Sequence, residues 1–289
     1  MPVPNFETVE VTTDLLICGG GMAGCGAAYE ASYWAKKNGL KVTVVDKAAL
    51  DRSGAVAQGL SAINMYLNIA GGERTPEEFA RYATNDMMGI ARQDLCYDIA
   101  RHVDSSVHLF EKWGLPIWRD AEGKPIRSGD WQVMISGESY KILVAEATKK
   151  ALNEAGMELY ERVFIIEPLM DGDRIAGAIG FSTREEKIYV FRAKAVVAVM
   201  GGTVHVFRPR STGEGLGRTW YPPFSTGSST YFTLRAGAER TMEDVRFVPV
   251  RFKDAYGPVG AWFLLFKSTA TNAMDEVYIE TRKADLAPW

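Results

Sequence analysis

The feature that most constrains this chain is a glycine cluster that lies between two short apolar runs in residues 14–46. Residues 15–18 form an apolar run of strand length, and residues 42–45 form a second, β-branched run that ends at Asp46. Between them Gly19, Gly21 and Gly24 fit the pattern G-x-G-x-x-G and lead into a stretch of small residues. This order predicts a strand, a tight turn, a helix and a second parallel strand, the unit that binds dinucleotides.

Each glycine of the pattern has a physical task in such a unit. Gly19 allows the tight turn out of the strand, Gly21 lets a pyrophosphate approach the backbone, and Gly24 lets the helix pack closely on the strands. The N-terminus of the helix then directs unpaired N–H groups and a partial positive charge at the pyrophosphate. Asp46 lies about 20 residues beyond the loop, where a carboxylate accepts hydrogen bonds from a ribose.

The helix after the glycines makes this pattern informative, because glycine alone is common here, at 28 of 289 residues. Minimal side chains recur at i, i+4 spacing, and we expect this stripe to face the strands: Ala23, Ala27, Ala31 and Ala35. A glycine turn between a strand and a helix that binds no nucleotide is the alternative.

The composition bounds the class of protein. A chain of 289 residues that is 47% hydrophobic and 24% charged is ordinary for a soluble protein of one large or two moderate domains. A net charge of −3 without a basic block argues against nucleic-acid binding. The three cysteines lack C-x-x-C spacing, which predicts a reducing compartment and neither disulfide, zinc site nor iron–sulfur cluster in this chain. We find no signal peptide or transmembrane segment, and expect a cytoplasmic protein.

The remaining patterns predict an α/β fold. Helices are expected after Thr75, where Glu78 completes a capping box, from Asp94 to residue 114, between residues 137 and 156, and around residues 228–236. The second of these has apolar positions at helical spacing: Leu95, Ile99, Val103, Val107 and Phe110. Strands are expected at residues 116–119, 131–135, 158–167, 174–181, 187–191, 195–200 and 244–252. A change of composition near residue 202 divides a nucleotide-binding domain, residues 1–202, from the start of a capping or substrate domain, residues 203–289.

Later motifs separate FAD from NAD, which the glycine pattern alone does not do. They are AQG at residues 57–59, a Gly-Gly pair at residues 201–202, TGEG at residues 212–215 and LRAGA at residues 234–238. In this order they resemble the flavoproteins of the fumarate reductase and succinate dehydrogenase superfamily. The resemblance implies a Rossmann-like FAD-binding domain with an inserted α+β capping domain that is incomplete at the C-terminus of this chain.

The resemblance also implies which residues contact FAD. They are Gly19, Gly21, Met22, Ala23, Gly24, Asp46, Lys47, Ser53, Gly54, Gln58, Gly59, Val163, Gly201, Gly202 and Gly213. Many members of the superfamily carry a flavin-linked histidine where this chain has Gly54, so we expect the FAD to be non-covalent. Their dicarboxylate-binding histidine corresponds to Val248, which makes succinate and fumarate poor substrate candidates.

Four longer strings resemble one branch of the superfamily, the alpha subunits of dissimilatory adenylylsulfate (APS) reductases. The strings are GLSAIN at residues 59–64, WQVMISGESYK at residues 131–141, FRPRSTGEGLGRTWYPPF at residues 207–224 and VPVRFKDAYGPVGAWFLLFK at residues 248–267. This resemblance implies two-electron interconversion of APS with AMP and sulfite through a flavin N5–sulfite adduct. It also implies a beta subunit whose [4Fe–4S] clusters pass electrons.

The chemistry gathers negative charge, so cations and N–H donors must surround the reacting centre. Arg251 is expected to bind the sulfonyl group, because its planar guanidinium matches a tetrahedral oxyanion. Trp220 is expected to form an apolar wall for adenine or the sulfonyl group. Asn64 is expected to form a hydrogen bond to the substrate or the flavin, and Glu138 to order a water or a side chain near the flavin. The alternatives are a surface arginine, a core tryptophan, a turn asparagine and a glutamate that complements a helix dipole.

Three interpretations stay open from the sequence. The first is an APS reductase alpha subunit that binds an iron–sulfur beta subunit, APS or AMP, and sulfite, with a peripheral contact to a membrane electron-transfer complex left open. The second is another flavoprotein of the superfamily, such as a fumarate reductase or an aspartate oxidase. The third is a non-catalytic nucleotide-binding or assembly module. Alpha subunits of APS reductases are much longer than this chain, so we expect the sequence to be part of one; neither the direction of the reaction nor the oligomeric state follows from it.

Overall fold

The computed structural model describes residues 5–203, 224–241, 269 and 271–286. The strands are β1 (Glu7–Cys18), β2 (Val42–Asp46), β3 (Ala62–Asn64), β4 (Arg127–Ser128), β5 (Gln132–Met134), β6 (Glu158–Glu161), β7 (Val163–Asp171), β8 (Arg174–Ser182) and β9 (Lys187–Ala198). The helices are α1 (Met22–Asn38), α2 (Pro76–Asp86), α3 (Gln93–Lys112), α4 (Tyr140–Ala155), α5 (Ser228–Arg235), α6 (Tyr278–Thr281) and α7 (Lys283–Leu286). In these ranges, no helix has both the length and the hydropathy that a bilayer span requires.

The larger sheet has six strands in the order β6-β2-β1-β9-β8-β7. The first four run parallel, and β8 pairs antiparallel with both β7 and β9. If the parallel strands are numbered along the chain, their order is third, second, first, fourth, which is that of a dinucleotide-binding fold. The smaller sheet is antiparallel, with its three strands in the order β3-β5-β4.

The two faces of the larger sheet have separate hydrophobic cores, and the alternation of β1 divides its side chains between them. Ile17 joins the core formed with α1 and α4, which includes Cys25 and Val144. Leu16 joins the core of the opposite face, which includes Phe191 and, from α5, Phe232. The predicted α/β layering is therefore confirmed, with helices on both faces of the sheet.

The face that α1 buries differs from the predicted alanine stripe. The buried residues are Gly24, Cys25, Ala28, Ser32 and Ala35, whereas Ala23 is exposed and Ala27 and Ala31 are half-buried. An i, i+4 series advances by about 40° per step around a helix of 3.6 residues per turn. The stripe therefore drifts by about 120° over its length, and only its C-terminal member is fully buried.

Some strand predictions differ from the structure. Residues 116–119 form only isolated β-bridges and no strand. The strand expected at residues 158–167 is interrupted at Arg162, whose φ of +63° turns the chain between β6 and β7. These two strands then lie at opposite edges of the sheet. Conversely, the strands expected at residues 187–191 and 195–200 are one continuous strand, β9.

The predicted helices are present, and α2 begins at its predicted capping signal. Thr75 caps α2 in a complete capping box, in which the Thr75 hydroxyl accepts from the Glu78 N–H at 3.2 Å and the Glu78 carboxylate accepts from the Thr75 N–H at 2.8 Å. Helix α3 buries Ala100, Asp104 and Val107. Leu95 and Ile99, which share the helical spacing of the apolar positions, are 44% and 53% exposed.

Candidate functional site

The candidate site lies at the carboxyl edge of the parallel strands. The N–H of Gly19 donates to the Val45 carbonyl at 2.8 Å, and the N–H of Val199 donates to the Cys18 carbonyl at 2.8 Å. These bonds hold together the ends of β1, β2 and β9, so the segments that follow the three strands are neighbours. Ligands of open α/β sheets bind at this edge.

The glycine turn after β1 cannot be built with larger residues at two positions. Gly19 has a φ of +115°, and a Cβ there would lie 2.4 Å from the Val199 carbonyl oxygen. A Cβ on Gly24 would lie 1.7 Å from the Gly19 carbonyl oxygen. By contrast, among the described residues a Cβ on Gly21 would meet only the Gly54 Cα, at 3.7 Å. The tasks predicted for Gly19 and Gly24 agree with this geometry, and Gly21 has the open space that a phosphate needs.

The carboxylate of Asp46 is 6% exposed and braces the turn from the end of β2. Its Oδ2 accepts from the Gly20 N–H at 2.6 Å and from the Ser53 hydroxyl at 2.8 Å, while Oδ1 accepts from the Ala48 N–H at 2.6 Å. A carboxylate has about four acceptor positions, so three of them are occupied. One acceptor position of the carboxylate is left for the predicted hydrogen bond to a ribose, and that bond stays a prediction.

A lysine that the sequence analysis did not single out lies on the other side of the same turn. Lys141, in the first turn of α4, is 1% exposed, and its Nζ donates to the Gly20 carbonyl at 2.8 Å and to Cys25 Sγ at 3.1 Å. Lys141 has i, i+3 and i, i+7 spacing to Val144 and Thr148, which are also buried. That spacing was the available signal that this lysine faces the core.

The predicted residues after Lys47 approach the glycine turn through Gly54. Its φ is +87°, and a Cβ at this position would lie 2.9 Å from the Gly21 Cα and 3.9 Å from the Met22 N. Ser53 is buried and bonds to Asp46, as described above. A short 3₁₀ turn, Ala55–Gln58, follows, and the Gly59 N–H closes it on the Val56 carbonyl at 3.0 Å.

Lys47 and the residues after β9 border the same edge. The Lys47 ammonium contacts the Phe224 carbonyl and lies 5.2 Å from the centre of the Phe164 ring. Partial burial lowers the pKa of Lys47, and the charge of Asp46 opposes that shift. Gly201 and Gly202 directly precede Thr203, which bridges to Thr226. Val163 is 2% exposed within the second core, so its predicted contact with a cofactor is not visible from the protein alone.

Asn64 and Glu138 lie on neighbouring segments. A Cβ on Gly137 would lie 1.8 Å from the Leu60 carbonyl oxygen, so the turn that carries Glu138 packs against the chain just after Gly59. Asn64 ends β3, which pairs with β5, and its Oδ1 accepts from the Met65 N–H at 2.9 Å. Both side chains are exposed, as residues that contact a substrate would be.

A buried carboxylate supports the loop that follows Asn64. Asp104 is 7% exposed and accepts from the Leu67 N–H at 2.8 Å through Oδ1 and from the Ile69 N–H at 2.7 Å through Oδ2. The sequence analysis missed this residue, although it shares the buried face of α3 with Ala100 and Val107. Three other predicted site residues, Gly213, Trp220 and Arg251, and the strand expected at residues 244–252 lie outside the described residues.

The strand order, the glycine turn and the acidic residue at the end of β2 define a dinucleotide-binding protein of the Rossmann type. The chain belongs to the family of FAD binding domains, whose model it matches over residues 14–261.

Two curated relatives show which FAD-binding proteins this chain resembles in sequence. The chain is 51% identical over 306 aligned residues to the adenylylsulfate reductase subunit alpha of Megalodesulfovibrio gigas, covering 97% of this chain and 45% of the relative. It is 28% identical over 246 residues to the 8-methylmenaquinol:fumarate reductase flavoprotein subunit of Wolinella succinogenes, covering 82% of this chain and 38% of the relative. The chain therefore spans less than half the length of each of these relatives.

Among the solved structures, too, adenylylsulfate reductases are more similar to this chain than a fumarate reductase is. Adenylylsulfate reductase from the hyperthermophilic Archaeoglobus fulgidus matches with a TM-score of 0.88 and 60% identity, covering 98% of this chain and 45% of that chain. A structure of adenosine-5-phosphosulfate reductase in complex with sulfite, described as a covalent adduct, matches equally well. A flavocytochrome c3 fumarate reductase shares the fold, with a TM-score of 0.60 and 24% identity.

The described residues fit FAD. The backbone at Gly21 is open to a diphosphate, and the N-terminus of α1 provides the partial positive charge that such an anion requires. The residue after Ser53 is glycine, and its backbone lies against Gly21, so no side chain at that position bonds to a flavin.

Proposed function

We propose that this chain is the FAD-binding part of an APS reductase alpha subunit, which interconverts APS with AMP and sulfite by two-electron transfer. The observation that carries the proposal is the 51% identity to the Megalodesulfovibrio gigas subunit across 97% of this chain. The identity to a fumarate reductase flavoprotein subunit is only 28%. Val248, where that superfamily has a dicarboxylate-binding histidine, also weighs against a fumarate reductase.

The chain's own residues first hold the cofactor. The open backbone at Gly21 and the N-terminus of α1 bind the diphosphate, and the remaining acceptor position of Asp46 binds the ribose. The segment from Ser53 to Gly59 approaches the flavin, which stays non-covalent because position 54 is glycine. FAD supplies two-electron redox chemistry when it is bound.

Four further residues are proposed for the substrate. Arg251 binds the sulfonyl oxygens through its planar guanidinium, and Trp220 forms a wall for adenine or the sulfonyl group. Asn64 donates a hydrogen bond to the substrate or the flavin edge. Glu138 is exposed in the turn before α4 and orders a water or a side chain near the flavin. Arg251 offsets part of the negative charge of sulfate and phosphate, and the other three residues help to hold the substrate in place.

The proposal includes partners. An iron–sulfur beta subunit is expected to exchange electrons with the flavin, and the complex is expected to work in the cytoplasm as a heterodimer. Sulfate reduction and sulfur oxidation use the same interconversion in opposite directions, so both remain within the proposal.

The test uses the complete protein, purified with any subunit that accompanies it. The expected results are flavin absorption, bleaching of that absorption by sulfite, and formation of AMP and sulfite from APS when a chemical reductant supplies the two electrons. A flavoprotein that reduces fumarate and leaves APS unchanged would show that the second interpretation is correct. A purified protein that binds no flavin under any condition would overturn the proposal altogether.

The proposed site residues are tested by substitution. Arg251→Lys is expected to lower kcat/KM for APS while the melting temperature stays close to that of the wild type, because lysine cannot form the paired bonds of a guanidinium. Unchanged kcat/KM would refute the role of Arg251. An unchanged rate and pH profile in Glu138→Gln would likewise refute the role of Glu138.

A further inference from the structure

The most unusual charged group in the described residues is the ammonium of Lys141. It is buried at 1% exposure between the carbonyl of Gly20 and the thiol of Cys25. None of the ion pairs formed within the described part of the chain includes Lys141. A buried cation without a counter-charge is costly, so an anion that binds near it is favoured by its charge.

The bond from Lys141 also fixes the direction of the next N–H group. In a trans peptide the carbonyl and the N–H point in opposite directions, and the described chain has no cis peptide. The carbonyl of Gly20 points at Lys141, so the N–H of Gly21, in the same peptide group, points away from it. Within the described residues that N–H donates to no protein acceptor, and the space beside Gly21 is open.

Asp46 removes the neighbouring donor from this arrangement. The N–H of Gly20 is bonded to the Asp46 carboxylate at 2.6 Å and is not available to a ligand. Asp46 and Lys141 therefore hold Gly20 from its two sides, and the turn presents the N–H of Gly21 instead. Because both holding groups are buried, this conformation exists before a ligand binds, and binding does not have to order it.

We propose that Lys141 is a positioning residue for ligands that carry a diphosphate. It directs the N–H of Gly21 at the diphosphate, and its positive charge offsets the charge of the incoming anion. The inference rests on the proposed binding of FAD, but it concerns a residue that neither the glycine pattern nor the capping signals identify.

The test compares binding affinities of the flavin-free complete protein. In Lys141→Met the Kd for FAD and for ADP is expected to rise by about 10- to 100-fold, the loss of one hydrogen bond to a charged group. The Kd for adenosine, which has no phosphate, should stay within about twofold. The melting temperature of the flavin-free variant should change little, because removal of the buried charge offsets the loss of its bond to the Gly20 carbonyl.

Lys149→Met is the matched control. Lys149 lies on the same helix but is 35% exposed and pairs with Asp51 at 2.8 Å, so its removal should leave all three Kd values unchanged. Lys141→Gln is the second variant if Lys141→Met does not fold; it lacks the charge and is expected to weaken FAD and ADP in the same direction.

The outcomes separate this inference from the proposed function. A wild-type protein that does not bind FAD would overturn the proposed function. Wild-type binding together with unchanged Kd values for FAD and ADP in the variants would overturn only the role of Lys141. Equal losses for ADP and adenosine, with a lowered melting temperature of the flavin-free variant, would mean that Lys141 is a structural residue and would also refute the proposal.

Discussion

Asp46→Asn is the substitution for which the structure permits the most detailed prediction. The wild-type carboxylate accepts three hydrogen bonds, two from backbone N–H groups and one from the Ser53 hydroxyl, and is 6% exposed. An asparagine has one acceptor oxygen and one NH₂ group, which is itself a donor. Whichever way the amide is turned, its NH₂ group faces the N–H of either Gly20 or Ala48.

The size of the effect follows from that mismatch. One buried N–H loses its acceptor, which costs about 1–3 kcal/mol, and the bond that remains is no longer assisted by a full charge. The Ser53 hydroxyl can rotate and accept from the new NH₂ group, so a hydrogen bond between the two side chains remains, with donor and acceptor exchanged. We expect the free energy of unfolding of the flavin-free protein to fall by about 3 kcal/mol.

Thermal unfolding measures this loss. For a domain of this size a change of about 3 kcal/mol corresponds to a fall of about 6–12 °C in Tm. Asp51→Asn is the control, because Asp51 forms a half-exposed pair with Lys149 that contributes less than about 1 kcal/mol. A Tm for Asp46→Asn within about 2 °C of the Asp51→Asn value would refute the bracing role of Asp46.

Three further perturbations test other parts of the fold. Gly24→Ala brings a Cβ to 1.7 Å from a backbone carbonyl oxygen and should lower stability by several kcal/mol, whereas Gly26→Ala, with no described atom within 4 Å, should be neutral or stabilising by about 1 kcal/mol. Asp104→Ala leaves two loop N–H groups unpaired and should cost about 2–5 kcal/mol, with faster hydrogen exchange at both amides. Hydrogen bonds from the Tyr231 hydroxyl and, second in effect, from the Arg235 guanidinium lower the pKa of Glu167 below its ordinary value of 4.5. The stability that Glu167 contributes is therefore present above about pH 4.5 and is lost as the pH falls through the pKa of the folded state. Melting curves between pH 6 and pH 3 should show a smaller acid loss in Glu167→Gln than in the wild type.

Each of these three predictions has a result that would contradict it. Equal stability of the two glycine variants would mean that the turn can move to accept a side chain. Unchanged exchange at the two amides in Asp104→Ala would show that another group supports the loop. Identical acid loss with and without Glu167 would show that its bond to Tyr231 does not stabilise the folded state.

The nucleotide-binding unit could be predicted because its pattern is local. The turn at Gly19, the approach of the helix at Gly24 and the capping box at Thr75 each depend on residues a few positions apart. The same holds for the two apolar runs, which became β1 and β2 in parallel register. Short-range sterics decide such features, and a single sequence contains them.

Features that depend on the sheet as a whole could not be predicted in this way. The chain breaks between β6 and β7 at Arg162, which has a positive φ, and no glycine or proline marks that position. The buried face of α1 was misplaced because an i, i+4 stripe was extended over three steps, beyond the width of one face. Leu95 and Ile99 repeat at helical spacing but are exposed, since periodicity alone does not show which stripe of a helix meets the core.

The buried charges of the described residues share one property that connects fold and function. Asp46, Asp104 and Lys141 are all buried, and each bonds to the backbone of a loop. A buried charge is weak evidence for stability, because its desolvation offsets much of what its bonds contribute. These three hold the glycine turn, which is proposed to contact the cofactor, and the chain that follows Asn64, the residue proposed to contact the substrate. Their physical value therefore lies in fixing those segments before a ligand arrives, and a variant that keeps its stability can still lose affinity.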